Sequence, residues 1–387
     1  MKLTLIFIFS ISKLNAQPYL VPYDHHLPNS RKIEVQVEFL NEFNAERETV
    51  FLLEDAFDDL FMHFNELLDF TESSNFVLIK GRKNSEELKR GVMHSGKPDY
   101  QLAYKLFNQD QVARDIEVIR KVLLGDKKVI LLGYSSAAMV LQHYLSLYPQ
   151  QVSRMISVNP LVFDIQKNLG FPEFNLSFPT LKFSPEQLFD FSYYSNFNRQ
   201  MSSAKSASYS SLIGFLSYRD VLRGFSHKIY FENDFALQVR LFEHSIALSG
   251  FQNTSQKPNP NFELMKKWSE AIWNTYLETN FPVFGTNYDD LLHFQGKVVL
   301  IGGAFDQLIY PKSYDILAEF YSNSTLLLLK DGHAFQKTSG KEGMHQLVEA
   351  FITNDFEKKI AAYKKLSEAN LIFEKYSEGD FKIPPLF

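Results

Sequence analysis

The chain has 387 residues with a formal net charge of −5, and 45% of it is hydrophobic against 22% charged. Such a composition excludes a disordered chain, and the mild acidic balance excludes phosphate-backbone binding as the main activity. The absence of cysteine excludes disulfides, thiolate metal sites and cysteine nucleophiles, while 37 Phe against 2 Trp point to an aromatic interior.

Residues 1–16 carry Lys2, an apolar run from Leu3 to Ile11 broken by Thr4 and Ser10, and then Lys13-Leu14-Asn15-Ala16 before Gln17. A charged start, an apolar stretch too short to span a bilayer and a small residue at the cut predict a cleaved secretory signal over 1–16. The competing reading is a buried first strand, but the following segment offers it no partner at suitable spacing. The mature protein is therefore expected in the periplasm or outside the cell. No later segment has about 18 uninterrupted apolar residues, so no membrane span is expected. The adjacent pair His25-His26 cannot face one metal from a regular element and reads as exposed loop.

Strands are expected at Ile33–Leu40, Thr49–Leu53 and Phe76–Ile79. Val112, Ile116, Ile119 and Leu123 recur at helical spacing within Gln111–Leu124, and Gly125-Asp126 ends that helix. Val129–Leu132 is a short apolar strand, Ala138–Leu147 a helix on which His143 and Tyr144 are packing residues, and Met155–Val158 a strand. From 161 to 292 the chain turns Phe-, Tyr- and Ser-rich, with a serine cluster at Ser202–Ser211 and a loop signal at Gln256–Pro260. The alternation then resumes: strand Lys297–Ile301, helix Ser313–Tyr321, strand Thr325–Leu329, helix Glu342–Thr353, and a helix-like tail from Glu357 to Lys375 before Pro384-Pro385. Short continuous apolar strands alternating with helices require a mostly parallel sheet covered on both faces. One sheet interrupted by an insertion explains the pattern better than two independent domains.

Chemistry concentrates at Leu132-Gly133-Tyr134-Ser135-Ser136-Ala137-Ala138, directly between a strand and a helix. A nucleophile on such a turn is exposed at the carboxyl end of the sheet and needs small neighbours, which Gly133, Ala137 and Ala138 supply. The alternative is a serine-rich turn in which Ser135 or Ser136 caps the helix. Order and spacing favour the first: Asp306 follows the strand ending at Ile301, and His333 follows the strand ending at Leu329, with Gly332 letting that loop turn sharply. A hydroxyl deprotonated by an imidazole whose tautomer a carboxylate fixes is the chemistry such a set performs. Neither a phosphate-binding loop nor a dinucleotide fingerprint is present, no carboxylate ladder for calcium occurs, and no cofactor is implied.

These motifs resemble the α/β-hydrolase superfamily and, within it, the prolyl-aminopeptidase-like branch of serine peptidases (S33). Gln111–Pro149 with Asp115 and Arg120, Gly303-Ala304-Phe305-Asp306, and Gly332-His333 carry the likeness, over about Ile33–Pro160 and Lys297–Ile352. The resemblance implies an α/β-hydrolase fold with a core over 17–160 and 293–387, the latter including a C-terminal helix, and a mainly helical cap inserted at 161–292. It implies Ser135 as nucleophile, His333 as general base, Asp306 as its orienting partner, and backbone amides of Ser136, Asp55 and Ala56 around the oxyanion. The substrate would be a small molecule or short peptide, hydrolysed through an acyl-enzyme at a peptide, amide or ester bond, with an aromatic cap favouring apolar groups.

The branch carries His-Gly-Gly-Pro-Gly where this chain has Glu54-Asp55-Ala56-Phe57-Asp58-Asp59. Loss of glycines can alter the turn, and nearby carboxylates oppose a developing negative charge. The acidic cluster reads either as a solvated loop or as a lure for a substrate α-amino group. The loop Lys80-Gly81-Arg82-Lys83-Asn84-Ser85 keeps only Arg82 and the final serine of the branch's pattern. A binding protein that keeps the fold but lacks a working oxyanion loop is the other reading.

Overall fold

The computed structural model describes residues 15–57, 73–165, 234–249, 260–306, 308, 309, 311–335, 338 and 344–378. Residues 1–14 of the predicted leader, Asp58, Asp59, the Ser202–Ser211 cluster, residues 256–259 of the Gln256–Pro260 loop and Pro384-Pro385 lie outside them.

The strands are β1 (Asn15–Pro22), β2 (Lys32–Phe39), β3 (Glu48–Leu53), β4 (Ser74–Ile79), a two-residue hairpin β5 (Met93–His94) and β6 (Lys97–Pro98), β7 (Val129–Tyr134), β8 (Val152–Val158), β9 (Lys297–Gly303), β10 (Ser324–Leu329) and β11 (Ile372–Glu378). Nine of them form one sheet in the order β1-β2-β4-β3-β7-β8-β9-β10-β11. The run from β4 to β10 is parallel, and both ends are antiparallel. The helices are α1 (Glu86–Val92), α2 (Tyr100–Phe107), α3 (Gln109–Leu124), α4 (Ser135–Leu147), α5 (Phe235–Leu248), α6 (Pro260–Trp268), α7 (Glu270–Thr279), α8 (Tyr288–Leu291), α9 (Lys312–Glu319), α10 (Met344–Ile352) and α11 (Phe356–Glu368).

Period-two alternation divides the central strands between two cores. Phe51 and Leu53 face a cluster built with Ile116 and Ile119 of α3, Leu141 and Tyr144 of α4 and Leu317 of α9. Val50 and Leu52 face a second cluster with Leu347 and Phe351 of α10 and Leu366 of α11. Strands covered on both faces must be apolar throughout, which is why β3, β7 and β10 read as unbroken runs. Among the described residues no helix is long and apolar enough to cross a membrane.

Three expectations at the chain's ends require correction. The segment flanking the predicted cut does have a strand partner: β1 pairs with β2 from Asn15↔Phe39 to Pro22↔Lys32, so Gln17–Pro22 is an edge strand. Pro18 and Pro22 hid its alternation, and prolines are tolerated there because an edge strand leaves amides unpaired. The tail is not helical to Lys375; α11 stops at Glu368, Asn370 adopts φ 55°, and Ile372–Glu378 pairs antiparallel with β10. A left-handed Asn just past a helix is a stop signal. His25-His26 does lie in a turn with His26 exposed, but the His25 side chain is not exposed as expected. His25 Nε2 lies 2.6 Å from Asp115 Oδ1, and His26 lies 3.0 Å from Asp110 and stacks on Phe284.

The retained Arg82 explains that latch. Its guanidinium meets Asp115 at 2.6 and 2.9 Å and donates to the carbonyls of Pro22, Tyr23 and Leu106, so one buried cation joins β1's exit to α2 and α3. Ser85 caps α1 by accepting the Leu88 amide. Arg82→Ala removes both guanidinium bonds from Asp115, leaving it only His25 among the described residues, and takes the same donor from three carbonyls, so we expect a loss of about 3–5 kcal/mol in urea unfolding. A loss below about 1 kcal/mol would refute this account.

Candidate active site

Strand β7 ends at Tyr134 and α4 begins at Ser135, which adopts φ 56°. A left-handed conformation is unfavourable for any residue with a Cβ and persists only where the surroundings impose it. They impose it here by close approach: a Cβ on Gly133 would sit 2.6 Å from Ala138 Cα and 2.9 Å from Ala138 N. Gly133 and Ala138 are therefore small because strand and helix touch, which lifts the Ser135 hydroxyl off the sheet's carboxyl end. Neither serine stands at the N-cap of α4, which is Tyr134 and makes no side-chain capping hydrogen bond.

The other predicted residues converge on that hydroxyl. Ser135 Oγ lies 3.0 Å from His333 Nε2, and His333 Nδ1 lies 2.7 Å from Asp306 Oδ2. All three are buried. A carboxylate can only accept, so His333 carries its proton on Nδ1 and leaves Nε2 free to take one from Ser135. Asp306 Oδ1 accepts the amides of Leu308 and Ile309 at 2.8 and 2.9 Å, and Tyr314 donates to Oδ2 at 3.0 Å. Burial and the neighbouring Asp306 charge hold the Tyr314 hydroxyl well above its ordinary pKa, so it stays a donor.

The two loops after β9 and β10 are locked to each other. Ala304 and Phe305 donate their amides to the carbonyls of Leu329 and Asp331, both at 2.8 Å. A Cβ at Gly303 would lie 2.5 Å from the Gly332 carbonyl, so Gly303 is the glycine this junction requires; the loop does turn sharply, with the Asp331 amide donating to the Leu329 carbonyl at 2.8 Å, but Gly332 takes no positive φ in doing so. Asp331 closes the loop by accepting the Thr338 amide and hydroxyl.

Asn159, at the carboxyl end of β8 with φ 42°, escaped the sequence reading. Its Nδ2 donates to the His333 carbonyl at 2.7 Å, and its Oδ1 accepts the Gly303 amide at 2.7 Å. Tyr134 also donates to the His333 carbonyl, at 3.1 Å. A polar residue just past a central parallel strand was the available signal, because sites in such sheets gather at the strands' carboxyl ends.

Glu54 and Asp55, the described acidic residues of the loop after β3, are both paired with cations rather than left to attract an amine. Glu54 pairs with Lys80 at 2.5 Å and Lys83 at 2.9 Å. Burial raises its carboxyl, but the two lysines outweigh that and hold it below the ordinary range. Asp55 is buried, accepts Arg240 Nε at 2.9 Å on Oδ1, and accepts the Ser136 hydroxyl at 2.6 Å and the Phe57 amide at 3.1 Å on Oδ2. Burial opposes its charge, and Arg240 with Ser136 restores it, so its carboxyl lies below its ordinary range. No residue from 54 to 57 has positive φ, so the turn forms without the glycines of the resembled pattern. The amides of Asp55 and Ala56 engage no hydrogen bond among the described residues, and the Ser136 amide belongs to the first turn of α4, whose N–H groups lack intrahelical partners.

Beyond Asp55 the polar cluster continues into α5. Arg240 also pairs with Glu243, which accepts the Gln109 amide at 2.9 Å. One guanidinium between two carboxylates leaves an excess negative charge, and burial pushes the Glu243 carboxyl up to about 7. His244 Nε2 lies 3.0 Å from Ser136 Oγ. The single Ser136 proton goes to Asp55, so His244 donates from Nε2 and is neutral. Burial, reinforced by Arg240, pushes the His244 pKa down to about 3.

These shifts have opposite signs for stability. A depressed His244 contributes stability above its unfolded value near 6.5 that is lost as pH falls toward 3. A raised Glu243 contributes stability below its unfolded value near 4.5 that is lost as pH rises through 7. The two oppose each other between about pH 4.5 and 6.5, and below 4.5 His244 acts without that offset. His244→Gln, which can still donate to Ser136, is expected to lower the pH dependence of unfolding free energy between pH 4.5 and 3.5 by about one proton, roughly 1.4 kcal/mol per pH unit. Equal slopes in urea titrations of both proteins would exclude this origin.

Comparison with known proteins places the architecture. No curated protein matches the sequence. Among solved structures the chain is similar to a probable hydrolytic enzyme from Pseudomonas aeruginosa PAO1 (15% identity, 88% of this chain and 95% of that one, TM-score 0.44). It is also similar to an esterase variant (14% identity, 88% and 99%, TM-score 0.46) and to 2-hydroxy-6-oxo-6-phenylhexa-2,4-dienoate hydrolase from Rhodococcus sp. strain RHA1 (10% identity, 88% and 99%, TM-score 0.43). The family model described as alpha/beta hydrolase fold matches residues 90–339, a span running from α1 past His333, and the chain belongs to that family.

Proposed function

We propose that this protein is a serine hydrolase working through an acyl-enzyme. The observation that carries the reading is the left-handed Ser135, at φ 56°, with its hydroxyl 3.0 Å from an imidazole whose other nitrogen is held by a buried carboxylate. Ser135 Oγ attacks the carbonyl carbon while its proton passes to His333 Nε2, and Asp306 stabilises the imidazolium that forms. The oxyanion is received by the Ser136 amide and by an amide of Asp55 or Ala56, aided by the positive end of α4. His333 then protonates the leaving group, and a water deprotonated by the same Nε2 releases the acid. The glycine-poor loop, which favoured a non-catalytic binding protein, has no left-handed residue from 54 to 57 and has its described carboxylates paired, so the enzymatic reading is preferred.

The substrate class follows from resemblance and composition: a short peptide, amide or ester with an apolar or aromatic acyl group, reached beneath a mainly helical cap at 161–292. The predicted leader over 1–16 assigns the protein to the periplasm or the exterior. The test is turnover of p-nitrophenyl esters of graded acyl length beside aminoacyl p-nitroanilides. Hydrolysis of either series supports the reading. Failure of both, together with no labelling by a fluorophosphonate, would overturn it.

A further inference from the structure

The amides that would face the oxyanion, that of Ser136 and that of Asp55 or Ala56, sit on different segments, the first turn of α4 and the loop after β3. One side chain spans them. Asp55 Oδ2 takes the Ser136 hydroxyl at 2.6 Å, so the hydrogen bond joining the segments starts and ends on the donor-bearing residues themselves. The same oxygen takes the Phe57 amide, which fixes the loop's turn from within and removes that N–H from competition. The other oxygen takes Arg240 Nε, anchoring the assembly to α5, and Lys83 Nζ reaches the Asp55 carbonyl at 3.4 Å.

Charge bookkeeping explains why an acid is tolerated there. A bare carboxylate beside a forming oxyanion opposes it, whereas Asp55 is matched by a buried guanidinium within 2.9 Å. Glu243 is the second carboxylate on that guanidinium and can carry the proton that balances the cluster. His244 donates to Ser136 Oγ from the far side, seated edge-on between Phe57 and Phe163 at ring distances of 5.1 and 5.4 Å. The Ser136 hydroxyl is thus fixed as acceptor from one neighbour and donor to the other, and it has no freedom to turn toward substrate.

We infer that Asp55, held by Arg240, is a positioning residue that sets the spacing of the oxyanion-binding amides. It does by side-chain tethering what a glycine-rich turn does by backbone conformation. The inference rests on Ser135 being the nucleophile.

The experiment follows the rate and the end point of fluorophosphonate labelling, read by intact mass, for the parent, Asp55→Ala, Asp55→Asn and Ser136→Ala. The end point counts competent chains, and the rate reads how well the amides receive charge. Asp55→Ala is expected to label about 10²-fold more slowly to the same end point, Ser136→Ala about 10-fold more slowly, and Asp55→Asn to fall between Asp55→Ala and the parent. The pH profile of the rate should keep the parent's midpoint, because His333 is untouched. Parent-like rates for Asp55→Ala would overturn the inference while leaving Ser135 in place. An unlabelled parent would instead overturn the Ser135 reading and this inference with it. If Asp55→Ala fails to fold, Ser136→Ala decides, since it keeps the Asp55–Arg240 pair, and a parent-like rate there would overturn the tether.

Discussion

Ser135→Ala is expected to lower hydrolysis by at least about 10⁴-fold and to abolish fluorophosphonate labelling, while the thermal midpoint moves by no more than about 2 °C. The kinetic part follows because the covalent intermediate needs this oxygen; the amides of Ser136 and Asp55 or Ala56 can still polarise a bound carbonyl, which sets the residual rate. The stability part follows from the local geometry. Alanine removes one hydrogen bond to His333, a net term of about 1 kcal/mol, and leaves the φ of 56° and its strain unchanged. Ser135→Gly relieves that strain, so it should be equally inactive and slightly more stable, by up to about 1 kcal/mol. Thermal scans and intact-mass labelling of the three proteins distinguish a nucleophile from a structural serine. Retained turnover in pure Ser135→Ala would remove Ser135 from the mechanism.

The parallel core was legible because a strand buried on both faces carries an unmistakable pattern: Val129–Leu132 and Thr325–Leu329 are apolar at every position but Thr325, and both became strands within two residues of their predicted ends. The edges were not legible. β1 has two prolines and β11 carries Glu374 and Lys375 within a stretch that also reads as helix, so what decides each is the ladder it joins, a tertiary contact with no local signature. The candidate site divides the same way. Ser135, Asp306 and His333 stood out by order along the chain, since each follows a readable strand. Arg240 and His244 lie on α5, more than 100 residues from Ser135, and nothing in their local sequence says that they reach Asp55 and Ser136. Glu54 and Asp55 were not legible as paired because their cations come from Lys80, Lys83 and Arg240, residues remote in sequence or assigned to another loop.

Asp306→Asn should fold and fail, with kcat down by about 10³- to 10⁴-fold. The hydrogen bonds around the side chain dictate which way the amide must lie. Oδ1 of the aspartate accepts two backbone amides, Leu308 and Ile309, so a carboxamide can only place its oxygen there and must turn its NH₂ toward His333 Nδ1. His333 Nδ1 then has to accept, and its proton moves to Nε2, where it faces the Ser135 hydroxyl instead of receiving from it. Tyr314 adapts without loss: its proton can go wholly to Asn159 Oδ1, 3.2 Å away, and its oxygen can accept the second amide hydrogen. The fold therefore keeps its partners, and unfolding free energy should drop by no more than about 2 kcal/mol. A charge that would have stabilised the imidazolium is also gone, so labelling by a fluorophosphonate should slow in parallel with turnover. The decisive contrast is with Asp306→Ala, which takes from the Leu308 and Ile309 amides and from His333 Nδ1 the acceptor they share and should cost about 3–5 kcal/mol as well as activity. An Asn variant within 10-fold of the parent would mean that the tautomer of His333 is not what Asp306 controls.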